Sequence, residues 1–122
     1  MSTPVPSILI VDDDPDIREA LVDVLSDSGF AVRAAANGRE ALAILRSSAP
    51  PRVVLLDLMM PVMDGLQFRQ EQLADPALRD IPVIVISAGS NVAESARALG
   101  VTASLRKPLD LDKLLEVIAR ST

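Results

Sequence analysis

Val53-Val-Leu-Leu-Asp57-Leu-Met-Met-Pro-Val-Met-Asp-Gly65 is the stretch that decides how this chain folds. Four aliphatic residues run straight into a carboxylate, and Pro61 and Gly65 follow within a few positions. An unbroken apolar run, with no polar alternation, is the pattern of a parallel strand covered on both faces. Such strands deliver their chemistry at the carboxyl end, in the loops beyond it. Function is therefore expected around Asp57.

Two further runs have the same character. Ser7-Ile-Leu-Ile-Val11 stops on Asp12, Asp13 and Asp14, and Pro82-Val-Ile-Val-Ile-Ser87 stops on a hydroxyl. Weaker strands are expected over residues 31–36 and 103–106. Helices fill the intervals. Pro15 suits a first helical position with Asp14 as N-cap, and Ile17, Ala20, Leu21, Val24 and Leu25 recur at helical spacing until Gly29. Asn37-Gly-Arg-Glu40 has capping-box spacing for a helix carrying Ala41, Leu42, Ile44 and Leu45, broken by Ala49-Pro-Pro51. A third helix starts at Asp64-Gly65 with a poor apolar stripe (Leu66, Phe68, Leu73) and closes at Asp75-Pro76, leaving residues 75–81 as a surface loop. Ser90 or Asn91 caps a short fourth helix with a face of Val92, Ala96 and Leu99, ended by Gly100. Asp110 caps the last, where Leu111, Leu114, Leu115 and Ile118 repeat.

This is a (βα)5 pattern, an α/β class chain. Right-handed crossovers convert it into an open, doubly wound parallel sheet with helices on both faces. Placing the two weak strands at the edges gives the order 2-1-3-4-5, a flavodoxin-like arrangement whose switch point lies between the first and third strands. Asp12, Asp13 and Asp57 then share one crevice, and Ser87 and Lys107 end the next two strands on the same rim.

Composition narrows the chemistry. The chain has 122 residues, 49% of them hydrophobic, which suits one compact domain over residues 1–122. It has neither Cys nor His, which excludes disulfides, thiolate or imidazole metal sites and a histidine base. Any metal must be held by oxygen. A net charge of −5 argues against broad binding to nucleic acid or an anionic membrane, and two Phe with no Trp or Tyr leave no platform for stacking bases. The start of the chain lacks the basic and apolar regions of a signal peptide, so a soluble, cytoplasmic protein is expected.

Carboxylates a few ångströms apart cannot all stay ionised unless a cation joins them. Magnesium answers that need: it takes hard oxygen ligands at about 2.0–2.1 Å, accepts one or two carboxylates, and leaves positions for phosphate oxygens. With an ammonium on one side and a hydroxyl on the other, the crevice reads as a phosphoryl site in which Asp57 offers the nucleophilic oxygen. Each motif alone has a plainer reading: an acid run at a helix start, a turn acid, a loop hydroxyl, a surface lysine. Their coincidence at successive strand ends is what favours a site. Lys107 is one of only two lysines among twelve cations, which suggests that a point charge is wanted there.

Val11-Asp12-Asp13-Asp14-Pro15, the Asp57 stretch, Ser87-Ala88 and Lys107-Pro108 together resemble a response-regulator receiver domain, CheY-like in type, over essentially the whole chain. The resemblance implies Asp57 as phosphoacceptor, Asp12 and Asp13 as the acidic pocket, Lys107 in contact with the phosphoryl group, and Ser87 as the hydroxyl that swings toward it. It implies Mg2+ held by Asp13, Asp57 and the backbone carbonyl of Met59, with Asp12 acting mainly through water. It also implies a cis Lys107-Pro108 bond. The partner is expected to be a histidine kinase or histidine phosphotransfer protein, since this chain has no His to act as donor. Phosphorylation is expected to switch a face made by the fourth helix, the last strand and the fifth helix, with a phosphorylation-dependent dimer among the outcomes. The chain would be a phosphoacceptor, catalysing at most its own phosphorylation and dephosphorylation, with no effector domain visible.

Two positions depart from the pattern. Ser104 stands three residues before Lys107, where many receivers carry an aromatic switch residue, and residues 89–100 are short and rich in Ala and Ser. Met59 and Gly89 fall where the resemblance places tuners of dephosphorylation, and an apolar Met59 cannot orient an attacking water. Three other classes compete: a haloacid-dehalogenase-like phosphatase built on Asp12, Asp14, Ser87 and Lys107, an FMN carrier on the same fold, and a receiver used only for docking. The first is crowded by Pro15 and lacks a later acidic pair. The second has three acids where hydroxyls and amides should be.

Overall fold

A computed structural model of the chain describes residues 7–47, 49–57, 65–87, 92–107 and 110–121. Five strands alternate with five helices: β1 (Ser7–Val11), α1 (Pro15–Asp27), β2 (Ala31–Ala35), α2 (Gly38–Ser47), β3 (Val53–Asp57), α3 (Gly65–Ala74), β4 (Val83–Ser87), α4 (Val92–Leu99), β5 (Ala103–Arg106) and α5 (Leu111–Ser121). The strands form one parallel sheet in the order β2-β1-β3-β4-β5, as the apolar runs required. β3 and β4 are buried at every position, whereas the edge strand β5 is nowhere fully buried.

Side chains of a strand alternate between the two faces, and two core layers result. On one side Leu9, Val11, Val54, Leu56, Val83 and Val85 pack with Ala41, Leu42 and Leu45 of α2 and Phe68 of α3. On the other, Ile8, Ile10, Val53, Leu55, Ile84 and Ile86 meet Leu21 and Leu25 of α1 and Leu114 and Ile118 of α5. Burying an aliphatic or Phe side chain of this size contributes about 1.5–3 kcal/mol.

The helix ends follow their cap chemistry. Asp14 is extended and its side chain accepts from the backbone N–H of Asp16 and Ile17, with Pro15 next in the chain. Asn37 Oδ1 accepts from Glu40 N at 2.9 Å, and Asp110 Oδ1 from Asp112 N at 2.9 Å. Gly29 and Gly100 follow α1 and α4 with φ of 97° and 66°, the left-handed conformation that side chains other than glycine rarely adopt.

Three expectations need correction. Leu111 is 42% exposed, so the apolar face of α5 starts at Leu114. Residues 75–81 do not lie wholly on the surface: Leu78 and Ile81 are 3% and 8% exposed and anchor the turn in the core. In α3, Phe68 is buried but Leu73 is 47% exposed, and the buried face is completed by Arg69 and Gln72. Their polar atoms are spent on each other and on backbone oxygens. Gln72 Nε2 donates to the carbonyls of Leu78 and Ile81, both at 3.0 Å, and Gln72 Oε1 accepts from Arg69 Nη1 at 2.9 Å. Arg69 also donates to Leu99 O and Gly100 O, at 3.1 and 2.9 Å, so α3 holds the C-terminal end of α4. Burial lowers the Arg69 pKa from its usual value. The expected capping residues Ser90 and Asn91, and the side chains of Leu66, Val92 and Ala96, lie outside what the structure describes.

Candidate functional site

The register of the sheet assembles the site. Val11 lies opposite Leu56, so Asp12 and Asp57 leave β1 and β3 at the same level. Asp57 lies opposite Ile86, which puts Ser87 one step further along β4, and Ser87 lies opposite Arg106, after which Lys107 leaves β5. Lys107 N continues the ladder by donating to Ser87 O at 2.9 Å. Four strand ends thus bring acid, acid, hydroxyl and ammonium to one rim.

The acids converge as expected: one carboxylate oxygen from each of Asp12, Asp13 and Asp57 lies within 4.8 Å of the others. Asp12 and Asp57 are 2% and 5% exposed, while Asp13 faces solvent. Lys107 Nζ reaches in from the side, 3.0 Å from Asp12 Oδ2 and 3.4 Å from Asp57 Oδ2. Burial by itself lowers the Lys107 pKa, but the hydrogen bond to Asp12 and the negative charges of Asp57 and Asp12 outweigh it and hold the ammonium above its usual value. Lys107 is therefore charged throughout the neutral range. Three carboxylates facing one ammonium leave an excess of negative charge, and hard oxygens in this number suit a small divalent cation.

Ser87 is buried, 4% exposed, at the end of β4. Ser104 sits on β5 opposite Val85, partly buried. Met59, whose backbone carbonyl completes the expected ligand set, lies outside the described residues, as do Gly89 and the proline of the expected cis bond. Asp14, the second acid of the phosphatase alternative, is exposed and occupied as the cap of α1.

Sequence reasoning passed over two contributors. Asp14 N donates to Asp12 Oδ1 at 3.0 Å, and Arg18 Nη1 donates to Asp12 O at 2.9 Å. An acid two residues before a helix N-cap is a spacing that could have suggested the first. Nothing in hydropathy or spacing marks the second.

Comparison with known proteins agrees with this geometry. Residues 8–119 match the family described as response regulator receiver domain. Response regulator MprA of Mycolicibacterium vanbaalenii is 41% identical over 110 residues, covering 88% of this chain and 46% of its own. The chain spans about half the length of the curated relatives it matches. Among solved structures, chemotaxis protein CheY4 of Vibrio cholerae superposes with a TM-score of 0.88 at 30% identity, over 98% of this chain and 100% of that one. Response regulator TrrA of Thermotoga maritima, solved in complex with Mg(2+)-BeF, gives 0.85 at 30% identity, over 96% of this chain and 99% of that one.

Proposed function

The chain belongs to the response regulator receiver domain family, phosphoacceptors of two-component signalling, and from that premise we propose that it takes its phosphoryl group on Asp57. One observation carries the assignment: Asp57 is the acid that ends the central strand, within 4.8 Å of the oxygens of Asp12 and Asp13 and 3.4 Å from the Lys107 ammonium. The phosphatase reading finds no support in these relatives, and its second acid is already spent on a helix cap.

The donor is a phosphorylated histidine of a histidine kinase or phosphotransfer protein docked at the rim. A carboxylate oxygen of Asp57 forms the new O–P bond as the donor's N–P bond breaks, and the imidazole leaves with the bonding electron pair. Lys107 stands where it can neutralise charge on the transferring oxygens, and preorganised charge of this kind needs no rearrangement during the reaction. The donor set of Asp12, Asp13 and Asp57 fits magnesium, and Asp13 and Asp57 would hold it, with the Met59 carbonyl as the further ligand that the family resemblance implies. Asp12 acts through water, in keeping with the two oxygens it already gives to Asp14 N–H and Lys107. When bound, the ion supplies further positive charge beside the phosphoryl oxygens.

The product, an acyl phosphate with nearly two negative charges, draws Ser87 and Lys107 inward and biases the face formed by α4, β5 and α5. Its output is a change of protein partner there, a second copy of the chain included. With Ser104 in place of a ring, that face switches without aromatic packing. Residues 1–122 act as one receiver domain, with no turnover beyond its own phosphorylation and dephosphorylation. Among the described residues no helix is long and apolar enough to cross a membrane, in keeping with action in the cytoplasm.

Incubation with acetyl phosphate, with magnesium or with chelator, followed by intact mass, tests this reading. One phosphoryl group retained only with magnesium is expected. Steady release of phosphate with none retained would favour a phosphatase.

A further inference from the structure

Asp12 is fastened at every polar atom it has. Its N–H donates to Ala35 O of β2 at 3.1 Å, its Oδ1 accepts from Asp14 N at 3.0 Å and its Oδ2 from Lys107 Nζ at 3.0 Å. The fourth, its backbone oxygen, accepts from Arg18 Nη1 at 2.9 Å. The first three bonds belong to the sheet and to the site itself. The last is supplied by a helix side chain that reaches back over six residues.

That carbonyl bears on the site through covalent geometry. The Asp12 C=O and the Asp13 N–H belong to one planar peptide, so holding the oxygen fixes the plane from which Asp13 departs. Asp13 is exposed, so it is not held by burial. Its place within 4.8 Å of the Asp12 and Asp57 oxygens is set by the backbone that carries it. The same peptide anchors Asp12, whose Oδ2 is the nearer of the two carboxylate contacts of Lys107.

We propose that Arg18 is a positioning residue for the phosphoryl site: by clamping the Asp12 carbonyl it sets the orientation of the 12–13 peptide, and with it where two carboxylates stand relative to Asp57. The inference rests on the cation-assisted reading of the site given above. Arg18 does this from α1 without engaging a carboxylate oxygen, so the bonds of Asp12 to Asp14 N–H and Lys107 are left intact. The sign of its effect separates this role from plain electrostatics. A guanidinium is repelled by a divalent cation, so through charge alone its removal would tighten magnesium binding. Through positioning, its removal loosens it.

The test is calorimetric titration of magnesium into the unphosphorylated protein for wild type, Arg18→Met and Arg18→Lys, with melting of each in chelator. Methionine keeps an unbranched, apolar stem and removes both the donors and the charge. Wild type is expected to bind magnesium, Arg18→Met to bind it roughly tenfold more weakly, as loss of a group that orients ligands typically does, and Arg18→Lys to recover part of the loss. Melting in chelator checks that each variant is folded, and loss of one partly buried hydrogen bond is expected to lower it by a few degrees in Arg18→Met. Unchanged or tighter binding in Arg18→Met, or no recovery in Arg18→Lys, overturns the role of Arg18 and leaves the site standing. Absence of binding in wild type overturns the cation reading of the site and the role of Arg18 with it. If Arg18→Met does not fold, weaker binding by folded Arg18→Lys supports the role and wild-type affinity there counts against it.

Discussion

Lys107 Nζ donates to Asp12 Oδ2 at 3.0 Å across 95 positions of sequence, joining the last strand to the first over the end of the strand that carries Asp57. The contact is largely shielded from solvent, with the two side chains 17% and 2% exposed. Without magnesium it is the main neutralising contact of a buried acid. Removing it by Lys107→Met leaves the Asp12 carboxylate short of a partner, at a cost of about 1.5–3 kcal/mol. Urea unfolding of the metal-free variant checks this. The same substitution should slow phosphorylation by acetyl phosphate about a hundredfold, as loss of one preorganised donor does elsewhere.

The pH dependence of that cost has a definite sign. The folded-state pKa of Lys107 is raised above the ordinary 10.5, so its contribution is fully present below that value and is lost as pH rises through the folded pKa. The stability gap between wild type and Lys107→Met should therefore be flat from neutral pH to about 10 and close only above it. Thermal melting across that range is the measurement. A gap that closes near neutrality would mean that Lys107 does not hold its proton as the geometry requires.

The buried polar face of α3 should matter more to stability than its exposed leucine. Gln72→Leu removes the side-chain donor from the carbonyls of Ile81 and of Leu78, the latter keeping its bond from Ile81 N–H, and removes the acceptor of Arg69 Nη1, at a cost of about 1–3 kcal/mol. For a domain of this size that lowers the melting temperature by several degrees per kcal/mol. Leu73→Gln, one residue along and 47% exposed, should stay within about 0.5 kcal/mol of wild type. Equal effects from the two would contradict the packing.

Ser87 and Asp57 should separate chemically. Ser87→Ala removes the hydroxyl but neither the nucleophile nor Lys107, so it should still accept a phosphoryl group. The response of the α4, β5 and α5 face should fall, read as hydrogen-exchange differences between the phosphorylated and free forms. A Ser87→Ala protein that cannot be phosphorylated would place the hydroxyl in the transfer itself.

Much of this was legible in the sequence because the sheet is buried on both sides. Unbroken apolar runs marked β1, β3 and β4, and the weakness of residues 31–36 and 103–106 marked the edges, from which the strand order and the meeting of Asp12, Asp13, Asp57 and Lys107 followed. What escaped shares one cause. Gln72 is buried because a turn six to nine residues later presents two carbonyls to it, and Arg69 because the end of α4, thirty residues on, presents two more. Hydropathy counts such side chains as surface, since their partners are backbone atoms brought near only by the fold. Leu78 and Ile81 were missed for the same reason: the turn that holds them is pinned from α3. Arg18 lay hidden in an ordinary helical stripe, because its partner is a carbonyl that any residue at position 12 would carry.

Location of the phosphoryl group tests the central claim most directly. Protein incubated with magnesium and acetyl phosphate can be reduced with borohydride, which converts an aspartyl phosphate to homoserine, and then mapped by peptide mass spectrometry. The expected result is a single converted residue, Asp57, with none in Asp57→Asn. Conversion at Asp12 or Asp13 with Asp57 intact, or a phosphoryl group that persists in Asp57→Asn, would contradict it.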